Sequence, residues 1–186
     1  MLLSEIIKSL QKYAPMESPV KNGVNGLQVG SKIKDKTIKR VLITITPTLK
    51  ALQDAIKMKC SLIISYYPLV ENPINCFNDS DFIKKFWYFS HYKKFLFVLN
   101  SSFDVVENGF VDILARKLSL RVDDVFQIND SQRNNVSIGR ICSPIKSWNQ
   151  EKKFQLKELN TRMSHILEIK VLKYLGNVNR EIKKYA

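Results

Sequence analysis

The sequence predicts an α/β fold, a mixed and largely parallel sheet flanked by helices, and three observations carry that prediction. Ser61-Leu62-Ile63-Ile64-Ser65-Tyr66-Tyr67-Pro68-Leu69 is an apolar run of strand length closed by a proline, as expected of a strand buried on both faces. Arg40–Ile45 is a second such run, separated from the first by one amphipathic helix, so the two form a βαβ unit with parallel strands and a right-handed crossover. Phe95–Leu99 is a third apolar run that follows another helical segment.

Taken in order, Ser4–Tyr13 is predicted helical, because Ile6, Ile7, Leu10 and Tyr13 recur at helical spacing, Ser4 can cap the start, and Pro15 and Pro19 end it. Lys21–Gly30 contains Asn-Gly twice, a cheap source of positive φ, and reads as a tight connection into a short strand at Leu27–Val29. A glycine-rich phosphate cradle is the weaker reading, since neither Gly-x-Gly-x-x-Gly nor a Walker lysine follows a strand here. After the strand at 40–45, Thr46-Pro47 opens a helix with a hydroxyl cap, and Leu49, Leu52, Ala55 and Ile56 form its apolar face.

Asp79-Ser80-Asp81 is an acidic helix start, with Phe82, Phe86 and Trp87 expected on the buried side and His91 a surface or capping residue near the end. Glu107-Asn108-Gly109 starts a further helix with Phe110, Ile113, Leu114 and Leu118 inward. Beyond Leu120 the pattern changes. Strands are expected at Val125–Ile128 and Ser137–Ile141, a helix of about four turns over Gln150–Leu167, and a last strand at Ile169–Tyr174. The expected division is therefore an α/β core over 1–120 and a strand-helix-strand continuation over 121–186.

A chain of 186 residues is long enough to bury a core. No run approaches the ~20 apolar residues of a membrane span, and Met1-Leu2-Leu3-Ser4-Glu5 lacks a basic leader region, so a soluble, cytoplasmic protein is expected. Cys60, Cys76 and Cys142 are odd in number and widely spaced, which predicts reduced, mostly buried thiols. The formal charge of +13 invites an acidic partner such as nucleic acid. Lys32, Lys34, Lys36, Lys39 and Arg40 form the densest group, with a second at Arg180–Lys184, but no zinc knuckle, RNA-recognition signature or helix-turn-helix accompanies them. Non-specific phosphate contact is all that such a surface requires.

Tyr66 and Tyr67 stand at the carboxyl end of a central strand, where open α/β sheets place their ligand crevice, and they fit either a site or a packing role. Asn100-Ser101-Ser102-Phe103-Asp104 stands at the carboxyl end of the next strand. Asp104 is the carboxylate of interest there, as a site residue or as a cap for the following helix. His165 and Glu168 are a poor metal pair with no second histidine nearby.

The helix at Leu3-Ser4-Glu5-Ile6-Ile7, the segment Asn25-Gly26-Leu27-Gln28-Val29-Gly30, the βαβ unit, Ile63–Leu69, and Asn100–Asp104 with Gly109 together resemble the Nif-three-like family. These are dinuclear-metal-centre proteins also described as type 2 homologues of GTP cyclohydrolase I. The resemblance implies a Nif-three-like half-fold, with Tyr174-Leu175-Gly176-Asn177 as the link toward a second half that the chain lacks. It also implies two divalent metal ions that activate water, and ring-like oligomers.

The family's two adjacent histidines fall on Tyr66 and Tyr67, another histidine falls on Asn100, and only Asp104 keeps a ligating side chain. A neutral imidazole binds a divalent ion at pH 7 without losing a proton. A phenol must first ionise, at roughly 4 kcal/mol each, so two would consume roughly 8 of the ~10 to 16 kcal/mol of a good structural zinc site. The expectation is a truncated relative without a metal cofactor, serving as a binding or assembly module with another copy or a full-length paralogue. The alternatives are a residual metal-dependent hydrolase and a basic nucleic-acid-binding protein.

Overall fold

The computed structural model describes residues 1–15, 24–30, 36–72, 74, 76, 78–130, 133–145 and 154–184. Two units emerge, Met1–Val106 and Glu107–Ala186, so the helix that follows Gly109 belongs to the second.

The first unit is built on a four-stranded sheet of β1 (Gly26–Val29), β2 (Val41–Thr44), β3 (Leu62–Ser65) and β4 (Phe95–Val98), in the order β1-β4-β3-β2. β2, β3 and β4 run parallel, with Val41 beside Leu62 and Leu62 beside Phe95, while β1 is antiparallel to β4. β3 and β4 are buried along their whole length because both faces are covered. Leu62, Ile64, Phe95 and Phe97 pack with Leu3, Ala14 and Ile38 on the side of α1 (Leu3–Leu10). Ile63, Leu96 and Val98 pack with Leu52, Ala55 and Phe89 from α2 (Leu49–Lys57) and α3 (Ser80–His91) on the other. Gly30 (φ +101°) ends β1 against the Phe95 ring, and a Cβ there would stand 2.2 Å from Phe95 Cδ1.

Several helix ends differ from expectation. The first turn of α1 is closed by Glu5, whose Oε2 accepts the Leu2 N–H at 2.8 Å, and Ser4 lies within the helix. Its far end tightens, with Lys12 and Tyr13 N–H bonding the Ser9 and Leu10 carbonyls, so the helix stops before the expected Tyr13. Thr48, not Thr46, caps α2 by accepting the Ala51 N–H at 3.2 Å. Asp79 caps α3 as an acidic start should, accepting from Asp81 and Phe82. The buried side of α3 is Phe89, with Phe82 and Tyr88 half-buried, whereas Phe86 and Trp87 are exposed. His91 ends the helix at the surface, its ring stacked on Trp87 at 4.5 Å.

A short helix, α4 (Asn100–Val105), follows β4 directly and closes the first unit. The second unit contains α5 (Phe110–Lys117), a long hairpin of β5 (Leu120–Asp130) and β6 (Arg133–Pro144), and α6 (Leu156–Ile166). Its core is Ala115, Leu118, Leu120 and Cys142, with Leu114, Met163, Ile166 and Leu167 against them. Phe110, expected inward, is half exposed. The buried Arg140 forms a bidentate pair with Asp112, at 2.7 and 3.2 Å, and donates to the Gly139 carbonyl.

The expected helix over 150–167 is shorter; residues 150–153 lie outside the described residues, and the first N–H groups of α6 bond the Val178 and Arg180 carbonyls. The strand expected at Ile169–Tyr174 does not form: among the described residues the segment pairs with no strand, and Val171, Tyr174 and Leu175 are exposed. Cys60 and Cys142 are buried and Cys76 is exposed, all three free thiols. Among the described residues, no helix is long and apolar enough to cross a membrane.

Candidate functional site at the carboxyl ends of β3 and β4

The parallel pairing of β3 with β4 places Tyr66 and Tyr67, which follow β3, beside Asn100–Asp104, which follow β4. The backbone ties the two segments together: Leu99 N–H bonds the Ser65 carbonyl and Asn100 N–H the Tyr66 carbonyl, both at 2.9 Å. On the other side, Tyr66 and Tyr67 N–H bond the carbonyls of Thr44, the last residue of β2, and of Ile45, which follows it. Ser65, fully buried, donates from Oγ to the Tyr67 carbonyl at 2.6 Å and fixes the bend before Pro68.

Within this frame the Tyr66 hydroxyl donates to Asp104 Oδ2 at 2.7 Å. Asp104 Oδ1 is buried and has no hydrogen-bond partner among the described residues. Burial pushes the Asp104 carboxyl above the ordinary carboxylate range, and the hydrogen bond from Tyr66 offsets part of that rise. The Tyr66 phenol is held well above its usual value, first by burial, then by the hydrogen bond to Asp104 and its negative charge, and last by Tyr67. Tyr67 sets its ring edge-on to Tyr66 at 4.9 Å and is half exposed. The pair Tyr66–Asp104 can hold or exchange one proton. Asp104 does not cap α5, whose N-cap is Gly109 with no side-chain bond.

Asn100 is turned elsewhere. It adopts φ +43°, donates from Nδ2 to the Val24 carbonyl at 3.0 Å and accepts the Ser101 N–H on Oδ1. Both ends of its amide are used on backbone. Two neighbours to which the sequence assigned no individual role hold the crevice in shape. Gln28 clamps the segment after Pro68, accepting the Leu69 N–H and donating to the Val70 carbonyl. Asn25 donates to the buried Ser102 hydroxyl at 2.7 Å and to the Pro15 carbonyl. The available signal was the segment Asn25–Gly30 itself, whose polar side chains are a clamp and not a phosphate cradle.

The described members of the basic group, Lys36, Lys39 and Arg40, lie at the surface. Lys36 and Lys39 are exposed, Arg40 donates to the Met58 carbonyl at 3.0 Å, and Lys32 and Lys34 lie outside the described residues. No three His, Cys, Asp or Glu side chains gather among the described residues, His165 and Glu168 included.

A family model described as Duf34/NIF3 (NGG1p interacting factor 3) matches residues 1–186. The chain belongs to this family. The Duf34/NIF3 chain is 29% identical over 120 residues to a GTP cyclohydrolase 1 type 2 homolog of Methanocaldococcus jannaschii, covering 64% of this chain and 48% of that one. It is 27% identical over 190 residues to the protein of the same name from Streptococcus pneumoniae, covering 96% and 67%. It thus spans roughly half to two-thirds of the length of these curated relatives. Among solved structures, reduced HcgD from Methanocaldococcus jannaschii superposes with a TM-score of 0.71 at 24% identity, over 89% of this chain and 60% of that one. Protein SA1388 of Staphylococcus aureus gives 0.77 at 17% identity, over 99% and 71%. At these identities the structures speak for the fold, a mixed α/β sheet flanked by helices.

Proposed function

We propose that this Duf34/NIF3 chain is a non-catalytic binding or assembly module whose crevice does not hold the pair of divalent ions that the family resemblance implies. The observation that carries the reading is the 2.7 Å hydrogen bond from Tyr66 to Asp104. Asp104, the one carboxylate of the crevice among the described residues, is engaged by a neutral phenol that burial and the carboxylate itself keep protonated. A cation between them would have to displace that proton against both effects. Tyr67 is a second phenol, and Asn100 spends its amide on Val24 and Ser101. This donor set does not fit a dinuclear centre, for which at least three or four anionic or imidazole ligands are the rule.

A second reading has one observation in its favour. Asp104 Oδ1 is buried without a partner among the described residues, and a single bound cation is one way to satisfy it. In that case the chain is a residual metal-dependent hydrolase of the kind that its relatives' name, GTP cyclohydrolase 1 type 2 homolog, suggests.

Elemental analysis of the protein purified without chelators or added ions separates the two. The module reading expects zinc, iron and manganese far below stoichiometric after dialysis, and no metal-stimulated GTP turnover. Stoichiometric metal that survives dialysis and is lost in Asp104→Ala overturns it.

A further inference from the structure

α3 is apolar on two sides, and the sheet covers one of them. Phe89 is buried in the core that α2 and α3 share. Ile83, Phe86 and Trp87, spaced i, i+3 and i+4, form a second stripe, with Phe86 52% and Trp87 50% exposed. Rings continue the stripe toward the helix end, where His91 stacks on Trp87 at 4.5 Å and the exposed Tyr92 meets Trp87 edge-on at 5.9 Å. The result is a preformed ridge on a convex surface. A contiguous apolar ridge, unlike a single exposed side chain, marks a contact surface.

The ridge ends in cations. α2 and α3 lead into β3 and β4, which are parallel and begin side by side at Leu62 and Phe95, so both helices finish at one end of the sheet, opposite the Tyr66–Asp104 crevice. Gln53 of α2 donates to the Tyr88 hydroxyl, and Lys94 Nζ to the Cys60 carbonyl at 2.7 Å, which ties the two helices and their ends together. Lys57, Lys59 and Lys93 are exposed there, with the exposed Met58 between the first two and Arg40 bonded to the Met58 carbonyl. The acids of the two helices are already neutralised, since Lys50 pairs with Asp54 and Lys85 with Asp81, both at 2.6 Å. Lys57, Lys59, Lys84 and Lys93 form no ion pair among the described residues.

We propose that this ridge docks the chain onto an anionic lipid surface, with α3 lying in the plane of the headgroups and nothing crossing the bilayer. Trp and Tyr are the side chains that settle at headgroup depth, and Ile83 and Phe86 supply the aliphatic and aromatic area that goes below it. The lysines lay their stems along the apolar surface and keep their ammonium groups among the lipid phosphates. Charge complementarity selects an anionic surface, because the cations at this end have no acid left to answer them. Shape selects a bilayer over a folded protein: a convex ridge needs a matching groove in a protein, whereas lipid headgroups part around it. The ridge and the crevice lie at opposite ends of the sheet, so the docking holds whichever reading of the crevice stands, and metal content tests only the crevice.

Co-sedimentation of the full chain with lipid vesicles tests it. Vesicles of phosphatidylcholine mixed with phosphatidylserine should carry the chain down, and vesicles of phosphatidylcholine alone should not. Phe86→Gln combined with Trp87→Gln should abolish sedimentation with an unchanged circular dichroism spectrum, since both side chains are exposed. Each of Lys57→Gln, Lys59→Gln and Lys93→Gln should weaken binding about fivefold. In a Trp148→Phe background Trp87 is the remaining tryptophan, and brominated lipid should quench its fluorescence. Equal binding to uncharged vesicles, binding to neither kind, or a Trp87 emission that brominated lipid leaves untouched overturns the proposal. Binding that survives the Phe86 and Trp87 substitutions does so as well, because it reduces the contact to diffuse attraction between lipid and a chain of charge +13. So does a single-stranded RNA or an acidic protein held through Phe86 and Trp87 while anionic vesicles are ignored.

Discussion

Tyr66 and Asp104, 38 residues apart in the chain, meet in a 2.7 Å hydrogen bond because parallel β3 and β4 end side by side. The phenol is the donor and Asp104 Oδ2 the acceptor, while Oδ1 of the same carboxylate is buried without a partner among the described residues. Removing the phenol hydroxyl in Tyr66→Phe leaves both carboxylate oxygens unpaired. Loss of a buried partner to a charged group costs about 1–3 kcal/mol, and urea denaturation should report a destabilisation of that order. A variant as stable as the parent would show that water or a cation already satisfies the carboxylate.

The same pair sets a pH dependence. Burial raises the folded-state value for Asp104 above the ordinary carboxylate value of 3.8, so between those two values the folded chain binds more protons than the unfolded one. Its contribution to stability therefore falls as pH rises through that window and levels off above the folded value. Asp104→Asn keeps an acceptor for Tyr66 and does not titrate. The melting temperature of Asp104→Asn relative to the parent should rise from acid toward neutral pH. A difference that stays constant or shrinks would mean that a partner stabilises the ionised carboxylate.

Much of the first unit was legible because β3 and β4 are short, uninterrupted apolar runs, a pattern that only a doubly covered strand needs. The face of α3 was not, since Phe82, Phe86, Trp87, Tyr88 and Phe89 put aromatics on every side of one helix and its period alone selects none of them. The cap of α2 shifted by two residues because Thr46-Pro47-Thr48 offers two hydroxyls, and only the three-dimensional path chooses Thr48. Ile169–Tyr174 has strand composition, but a strand exists only where another accepts its ladder. At the crevice, position was legible and bonding was not. Both strand ends could be read, but the Gln28 clamp and the Tyr66–Asp104 bond join segments whose register emerges only from the folded sheet.

Gly30 has a role that composition alone hides. It adopts φ +101°, where side chains are strained, and an added Cβ would lie 2.2 and 2.8 Å from two carbons of the buried Phe95 ring. Backbone strain and overpacking each cost about 1–3 kcal/mol. Gly30→Ala should therefore destabilise the chain more than any exposed Gly→Ala, with Gly176→Ala, which meets nothing within 4 Å but has φ +112°, isolating the backbone share. Equal losses in the two would place the whole effect in the backbone and none in the Phe95 contact.

If the chemistry of the donors is what keeps cations out of the crevice, changing the donors should let them in. Neutral imidazoles bind a divalent ion at pH 7 without the proton loss that costs a phenol roughly 4 kcal/mol, so a gain of ~10²- to 10³-fold per ligand is available in principle. Tyr66→His and Tyr67→His place two such groups beside Asp104, and Asn100→His adds a third while giving up the bond to Val24. The double variant should bind zinc measurably by competition with a chromogenic chelator, and the triple variant more tightly, with Asp104→Ala reversing the gain. Tyr66→Phe with Tyr67→Phe serves as the control, because it removes both hydroxyls without adding a ligand. Should the histidine variants fold and still bind no more zinc than the parent, ligand identity would not be what excludes the metal, and the reading of the crevice as a site without ions would lose its physical basis.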